Sequence, residues 1–207
     1  MTYTIRPVLI GTIALLGIAA CSEEPQATQA DPVSVSQDTT QAAPVPTAIP
    51  DWARANIAYM TEGTGRWVAD NAAYKSDAEP WEFYVMEWSA GPDDLSMTAR
   101  MYATIDGQPS QADFWSFYQY WDRASGEMRV VQSGWGVVGD GTMTLGDDGK
   151  THFAEQTFTA EGRPPNRVKH ESRELSPTEH ETKSLNWTED GTWEADRSYI
   201  WVRTDAA

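Results

Sequence analysis

Three histidines, His152, His170 and His180, are the first residues to weigh for chemistry. Imidazoles hold metal ions or move protons when several converge. His170-Glu171 and His180-Glu181 flank one expected hairpin turn, Leu175 to Thr178, which sets His180 near Arg173. A cation there disfavours a metal, and His152 falls in another strand. The spacing therefore predicts surface histidines on polar strands, with no metal and no cofactor. The same stretch, RVKHESRE, offers Arg167, Lys169, Glu171 and Arg173 on one face for acid–base work. Cross-strand pairing with Glu179, Glu181 and Lys183 makes a solvated charge ladder the stronger expectation. The chain has no Walker loop, no G-x-G-x-x-G, no H-E-x-x-H and no G-x-S-x-G. No nucleophile, base and orienting group can be named together, so no catalytic residue is assigned and an enzyme is less expected than a binding protein.

Ten tryptophans are the main compositional signal. Large aromatics most often fill a core, each burying roughly 150–250 Å². Together with methionines they also line pockets for small apolar ligands, Met adapting its shape and Trp giving rigid area. On that reading the lining residues are Met97, Met101, Trp115, Phe117, Trp193 and Trp201. A third reading places several Trp on an exposed sugar-stacking face.

Lys plus Arg number 15 against 31 Asp plus Glu, a net charge of −16. That balance excludes a nucleic-acid partner, because phosphate backbones are met by basic surfaces. It equally excludes docking on anionic lipid through a basic patch. The sole cysteine, Cys21, rules out an internal disulfide and any zinc site built from several thiolates.

The elements that must position these residues begin after residue 50. Residues 1–20 carry Arg6 and then an apolar run from Val8 to Ala20. That run is too short for the ~20 residues of a membrane-spanning helix and reads as a secretory signal. Ile18-Ala19-Ala20-Cys21 resembles the lipobox of bacterial lipoproteins. The resemblance implies acylation of Cys21 and anchoring to a membrane through the N-terminal lipid, where several acyl chains give stable attachment. Ser22 in place of Asp points, by the enterobacterial pattern, to the periplasmic face of the outer membrane. Residues 21–50 then form a lipid-anchored linker. They contain no aromatic and no basic residue and include Pro25, Pro32, Pro44, Pro46 and Pro50. Such a stretch buries too little apolar surface to order itself and reads as a disordered tether.

Every Trp and Phe falls in residues 51–207, which form the domain. DWARANIAYM is expected to be a short helix capped by Asp51, its stripe formed by Trp52, Ala55, Ile57, Ala58 and Tyr59. Turn signals recur after it: Gly91-Pro92-Asp93-Asp94, Asp106-Gly107, Ser125-Gly126, Asp140-Gly141, Asp148-Gly149, Glu161-Gly162, Leu175-Ser176-Pro177 and Asp190-Gly191. Leu95, Met97, Ala99, Met101, Ala103 and Ile105 alternate with polar residues, the period of a half-buried strand. Trp193, Ala195, Tyr199 and Trp201 share a face in the same way, interrupted by Arg197 and Arg203. ADFWSFYQYWD is aromatic on both faces, which predicts a cover on its outer side, with the N-terminal helix as the candidate lid. Nine or ten consecutive strands without intervening helices exclude a parallel sheet. The expected fold is all-β: an antiparallel up-and-down β-barrel with a short N-terminal helix, a two-sheet sandwich being the alternative.

A helix, then Gly65-Arg66-Trp67, then a meander resembles the lipocalin-like, or calycin, barrels. There G-x-W opens the first strand, the Trp plugs the closed end, and a basic residue of the last strand packs across it. The resemblance assigns structural roles to Gly65, Trp67 and Arg203, with Arg197 as the alternative to Arg203. Residues 51–207 also resemble an uncharacterised bacterial lipocalin-like family. That resemblance rests on the spaced Trp residues, on Tyr120-Trp121-Asp122 before a Ser-Gly turn, and on a last hairpin ending in Tyr199-x-x-x-Arg203. The readings that follow are, in order, an envelope lipoprotein binding a small apolar or amphipathic ligand, a filled barrel meeting an envelope protein partner, and a small barrel enzyme acting on an apolar substrate.

Overall fold

Period-two alternation runs through the chain after Gly65, and short turns return each strand antiparallel to the one before it. The computed structural model describes residues 48–110 and 113–204. The signal peptide, Cys21 and the linker expected over residues 21–50 lie outside the described residues, save for residues 48–50.

One helix, α1 (Asp51–Thr61), precedes eleven strands. These are β1 (Arg66–Asp70), β2 (Phe83–Ala90), β3 (Ser96–Ile105), β4 (Gln108–Pro109), β5 (Trp115–Asp122), β6 (Glu127–Gly134), β7 (Val137–Leu145), β8 (Thr151–Ala160), β9 (Asn166–Ser176), β10 (Glu179–Trp187) and β11 (Trp193–Arg203). Apart from the two-residue stub β4, each strand pairs with its chain neighbours, and β1 pairs with β11 through Trp67↔Arg203 and Ala69↔Trp201. The result is a closed ten-strand antiparallel barrel rather than a sandwich. Closure leaves only the stub as a sheet edge, which removes the liability of exposed edge strands.

The helix packs against one end of the barrel. Its buried face is Ala53, Asn56, Ile57 and Met60, at i, i+3, i+4 and i+7. Ala55 and Ala58, expected on that face, are exposed. Pro50 is the N-cap residue, and Asp51 makes no cap bond but lies in the first turn, where its charge favours the helix dipole. The helix does not cover the outer side of β5. There Tyr118 and Tyr120 stack on each other at 4.9 Å, with Tyr118 43% exposed. An aromatic pair on adjacent outward positions shields part of its own surface, so the strand needs no lid.

At the helix end, Trp67 is fully buried, and its Nε1 donates to the Met60 carbonyl at 2.9 Å. Arg203, not Arg197, lies across it, with the guanidinium 4.6 Å from the Trp67 ring centre. Arg203 also bonds the Tyr59 carbonyl and Glu62, so this cation joins helix to barrel. Gly65 enters β1 at φ +63°, and a Cβ there would meet the Trp88 carbonyl oxygen at 2.0 Å. Only glycine fits that approach.

One of the turn expectations needs correction. Asp140-Gly141 is not a turn but lies inside β7. A Cβ on Gly141 would meet the Glu155 carbonyl oxygen at 1.8 Å, so the glycine serves the close approach of β7 and β8. A turn that no sequence signal marked is Trp135-Gly136, which joins β6 to β7 with φ +51° and +75°. Both residues with positive φ match the two-residue hairpin geometry that suits strand twist. A bulky residue rarely takes the first of those positions, which is why Trp135 gives no turn signal.

Candidate functional site

The barrel interior holds a cavity of about 240 Å³. Its wall follows from strand order. Around the closed sheet, β3 faces β9 and β5 faces β10. The arc β2–β3–β5 contributes Met86, Trp88, Met101, Trp115 and Phe117. The facing arc β8–β9–β10 contributes Gln156, His170, Ser172, Thr182 and Ser184, with His152 and His180 nearer the helix. The first side is thus sulfur and aromatic except for Gln119 on β5, and the other is imidazole, amide and hydroxyl. Glycines on β7 help make room: Gly139 and Gly141 stand where larger residues would collide with Phe158 and with the β8 backbone.

A second hollow of about 400 Å³ lies at the end of β7–β10 remote from α1. It shares Trp115, Gln132, His170 and Ser184 with the inner cavity, so these four residues form the neck between the two. The Trp135-Gly136 turn stands at this end. Trp135 is 64% exposed, with its ring 5.9 Å from that of Phe114.

The six residues expected to line a pocket divide three ways. Met101, Trp115, Phe117 and Trp201 border the cavity. Met97 points inward but is fully buried in the packed core. Trp193 lies on the outer face, which corrects its expected place beside Tyr199 and Trp201. Its ring meets Trp187 at 5.0 Å, with Arg167 and Lys169 over it at 5.4 and 5.2 Å. The cause is a β-bulge. Ser184 pairs with Arg197, but Leu185 pairs with Ala195, so Asp196 is an extra residue. An inserted residue reverses the facing of everything before it.

The histidines are the larger correction. They are not surface residues: His180 is 1% exposed, His152 5%, and all three point into the barrel. His170 borders the lumen and is half-buried, with its Nε2 shielded from solvent. The polar ladder misled because β9 and β10 are polar on both faces. Lys169, Glu171, Glu181 and Lys183 lie on the outer face as expected, with Glu171 opposite Lys183. The ion pairs run along each strand, Lys169 to Glu171 at 3.7 Å and Lys183 to Glu181 at 3.1 Å, rather than across the strands. Alternation then turns His170, Ser172, Thr182 and Ser184 inward. No apolar contrast marks the inner face, so pattern alone could not choose it. Among the described residues, no three His, Cys, Asp or Glu side chains are placed to hold a metal ion.

Burial pushes the His170 imidazole down to about 4. Burial, reinforced by Arg203 and then His152, pushes His180 to about 3. Both are neutral at pH 7. Arg197, the cavity's inward cation, is already paired: it makes two bonds to Glu79, at 2.6 and 2.8 Å, and one to the Tyr199 hydroxyl at 3.1 Å. Those bonds hold the Glu79 carboxyl below its usual range and raise Arg197.

Hydrogen bonding within the wall is incomplete. Trp201 Nε1 donates to Thr182 Oγ1 at 2.9 Å, and Gln156 Nε2 to the Gly139 carbonyl at 3.3 Å. Trp88 Nε1, Gln119 Oε1, His170 Nε2 and His180 Nδ1 have no partner. Those four belong to cavity-wall residues; the other two such atoms among the described residues, Trp121 Nε1 and Arg203 Nε, do not. An unpartnered buried polar atom costs roughly 1–3 kcal/mol, so a cluster of them around one cavity is a feature of the site rather than of the fold. A scan of the chain against protein-family models and a search of curated proteins each found no match.

Proposed function

We propose that this protein is a cell-envelope lipoprotein, anchored by Cys21 at the periplasmic face of the outer membrane, whose barrel carries a small apolar or amphipathic ligand. The observation that carries the binding reading is the interior cavity of about 240 Å³, which shares Trp115, Gln132, His170 and Ser184 with the hollow beyond. Cavities of this kind, apolar with a few placed polar groups, are the usual form of small-molecule sites. Met101, Trp115, Phe117 and Trp201 are the contact residues of this proposal. Catalysis is the weaker reading. A general base works best with a pKa near the working pH, and burial holds His170 and His180 well below it.

Native mass spectrometry of the whole chain carrying Cys21→Ser, purified without detergent, tests the reading. A discrete added mass, lost on denaturation and absent from Met101→Trp, supports a carrier. An unliganded mass that stays unchanged after exposure to envelope extract overturns it. Metabolic labelling with a radioactive fatty acid tests the anchor: label on the parent chain and none on Cys21→Ser is expected.

A further inference from the structure

The two-sided wall allows a narrower statement about the ligand, resting on the carrier reading above. We infer that the cavity takes a neutral, planar aromatic molecule with hydrogen-bonding groups on its rim, the class of naphthols, aromatic amides and nitrogen heteroaromatics, rather than an acyl chain or an organic anion. Size is the first ground. At protein packing density a cavity of about 240 Å³ holds on the order of ten non-hydrogen atoms. A long acyl chain exceeds that and would have to run on through the neck, whereas one or two fused rings fit within the inner cavity. Shape and surface are the second. Trp88, Trp115 and Phe117 offer ring faces, and Met86 and Met101 offer polarisable sulfur, which favours flat π-systems.

The polar residues of the wall supply the third ground. Gln119, Gln156, His170 and Ser172 border the cavity and offer amide, imidazole and hydroxyl groups. A pure hydrocarbon would leave such groups unmatched, and a ligand with rim hydroxyl, amide or ring nitrogen would pair with them. Charge is the fourth. The inward cations Arg197 and Arg203 are engaged by Glu79 and Glu62, so no free positive group waits for a carboxylate. The chain's net charge of −16 also repels anions on approach.

Calorimetric titration of the whole chain carrying Cys21→Ser with four probes of similar size separates these grounds: 2-naphthol, naphthalene, decan-1-ol and 2-naphthoate. The expected result is that 2-naphthol binds about tenfold or more tighter than naphthalene and decan-1-ol, with 2-naphthoate weakest. Gln119→Met and His170→Leu should each lower 2-naphthol toward the naphthalene level while leaving naphthalene itself unchanged. Gln119→Met conserves volume and keeps the test available should His170→Leu not fold. Naphthalene or decan-1-ol binding as tightly as 2-naphthol overturns the polar-rim inference and leaves the carrier reading standing, as does tightest binding of 2-naphthoate. No binding by any of the four, in a chain whose Met101→Trp variant behaves the same, overturns both.

Discussion

The plug at the helix end and the wall of the cavity solve the problem of buried polar groups differently. At the helix end Trp67 is sealed, its Nε1 bonded to Met60 and its face covered by Arg203. Arg203 in turn bonds Tyr59 and Glu62. Polar atoms there join elements together, and the group is worth its burial because most partners are present. Along the cavity wall, Trp88, Gln119 and His170 keep buried polar atoms without partners. A core optimised for stability alone would place apolar residues at those points. The contrast separates a plug that holds the fold from a wall whose composition costs stability.

The largest effects should come from the plug. Trp67→Ala is expected to cost about 3–5 kcal/mol, read as a fall in the urea midpoint, since it removes a fully buried ring and strands Arg203. Gly65→Ala should cost about 2–4 kcal/mol in the same assay, through its positive φ and collision with the Trp88 carbonyl. Equal tolerance of either substitution and of one in the cavity wall would dissolve the contrast.

Acid should act on the histidines. In the unfolded chain they take up protons near pH 6.5, whereas folded His170 and His180 resist until about 4 and about 3. The unfolded state therefore binds more protons in that window. Stability is complete above about pH 6.5 and falls as the pH drops toward 4 and then 3, by about 1.4 kcal/mol per pH unit for each histidine that stays neutral in the fold. Chemical denaturation at a series of pH values measures the slope. A flat profile between pH 6.5 and 4.5 would mean that the histidines are not enclosed as described.

Substitutions in the wall should run against the usual direction. Gln119→Met removes a buried unpaired oxygen at nearly constant volume and should leave stability level or raise it by up to about 1–2 kcal/mol. A clear loss would show that Gln119 serves the fold after all. The smallest effect belongs to Trp193. Removing its outer-face stack with Trp187 and its contacts with Arg167 and Lys169 should cost about 1 kcal/mol and leave 2-naphthol binding untouched. Trp201→Ala, by contrast, should change binding, because that ring borders the cavity.

The legible parts of the molecule were those with contrast between faces. Leu95 to Ile105 alternate apolar with polar, and β3 turns Met97, Ala99 and Met101 inward as the pattern requires. Gly65-Arg66-Trp67 sits at the entry to β1 with Arg203 on Trp67. The outer charge ladder of β9 and β10 was equally readable, because opposite charges fall on neighbouring positions. The inner polar wall was not. On β9 and β10 both faces are polar, and a period of two cannot say which of them faces the lumen.

What the sequence determined by itself, then, is the all-β meander, its short helix and its outer charges, because these follow from local periodicity, turn residues and charge. Tertiary structure decided the rest. Closure of β1 on β11 made a barrel from a meander that a sandwich would also have satisfied. One extra residue, Asp196, sent Trp193 outside while Tyr199 and Trp201 stayed within. Turning β9 and β10 inward gathered His170, Ser172 and Ser184 from distant surroundings onto the cavity wall opposite Trp115 and Phe117. Each of those outcomes depends on which strand lies beside or across from which, a relation between segments far apart in the chain that local pattern does not encode.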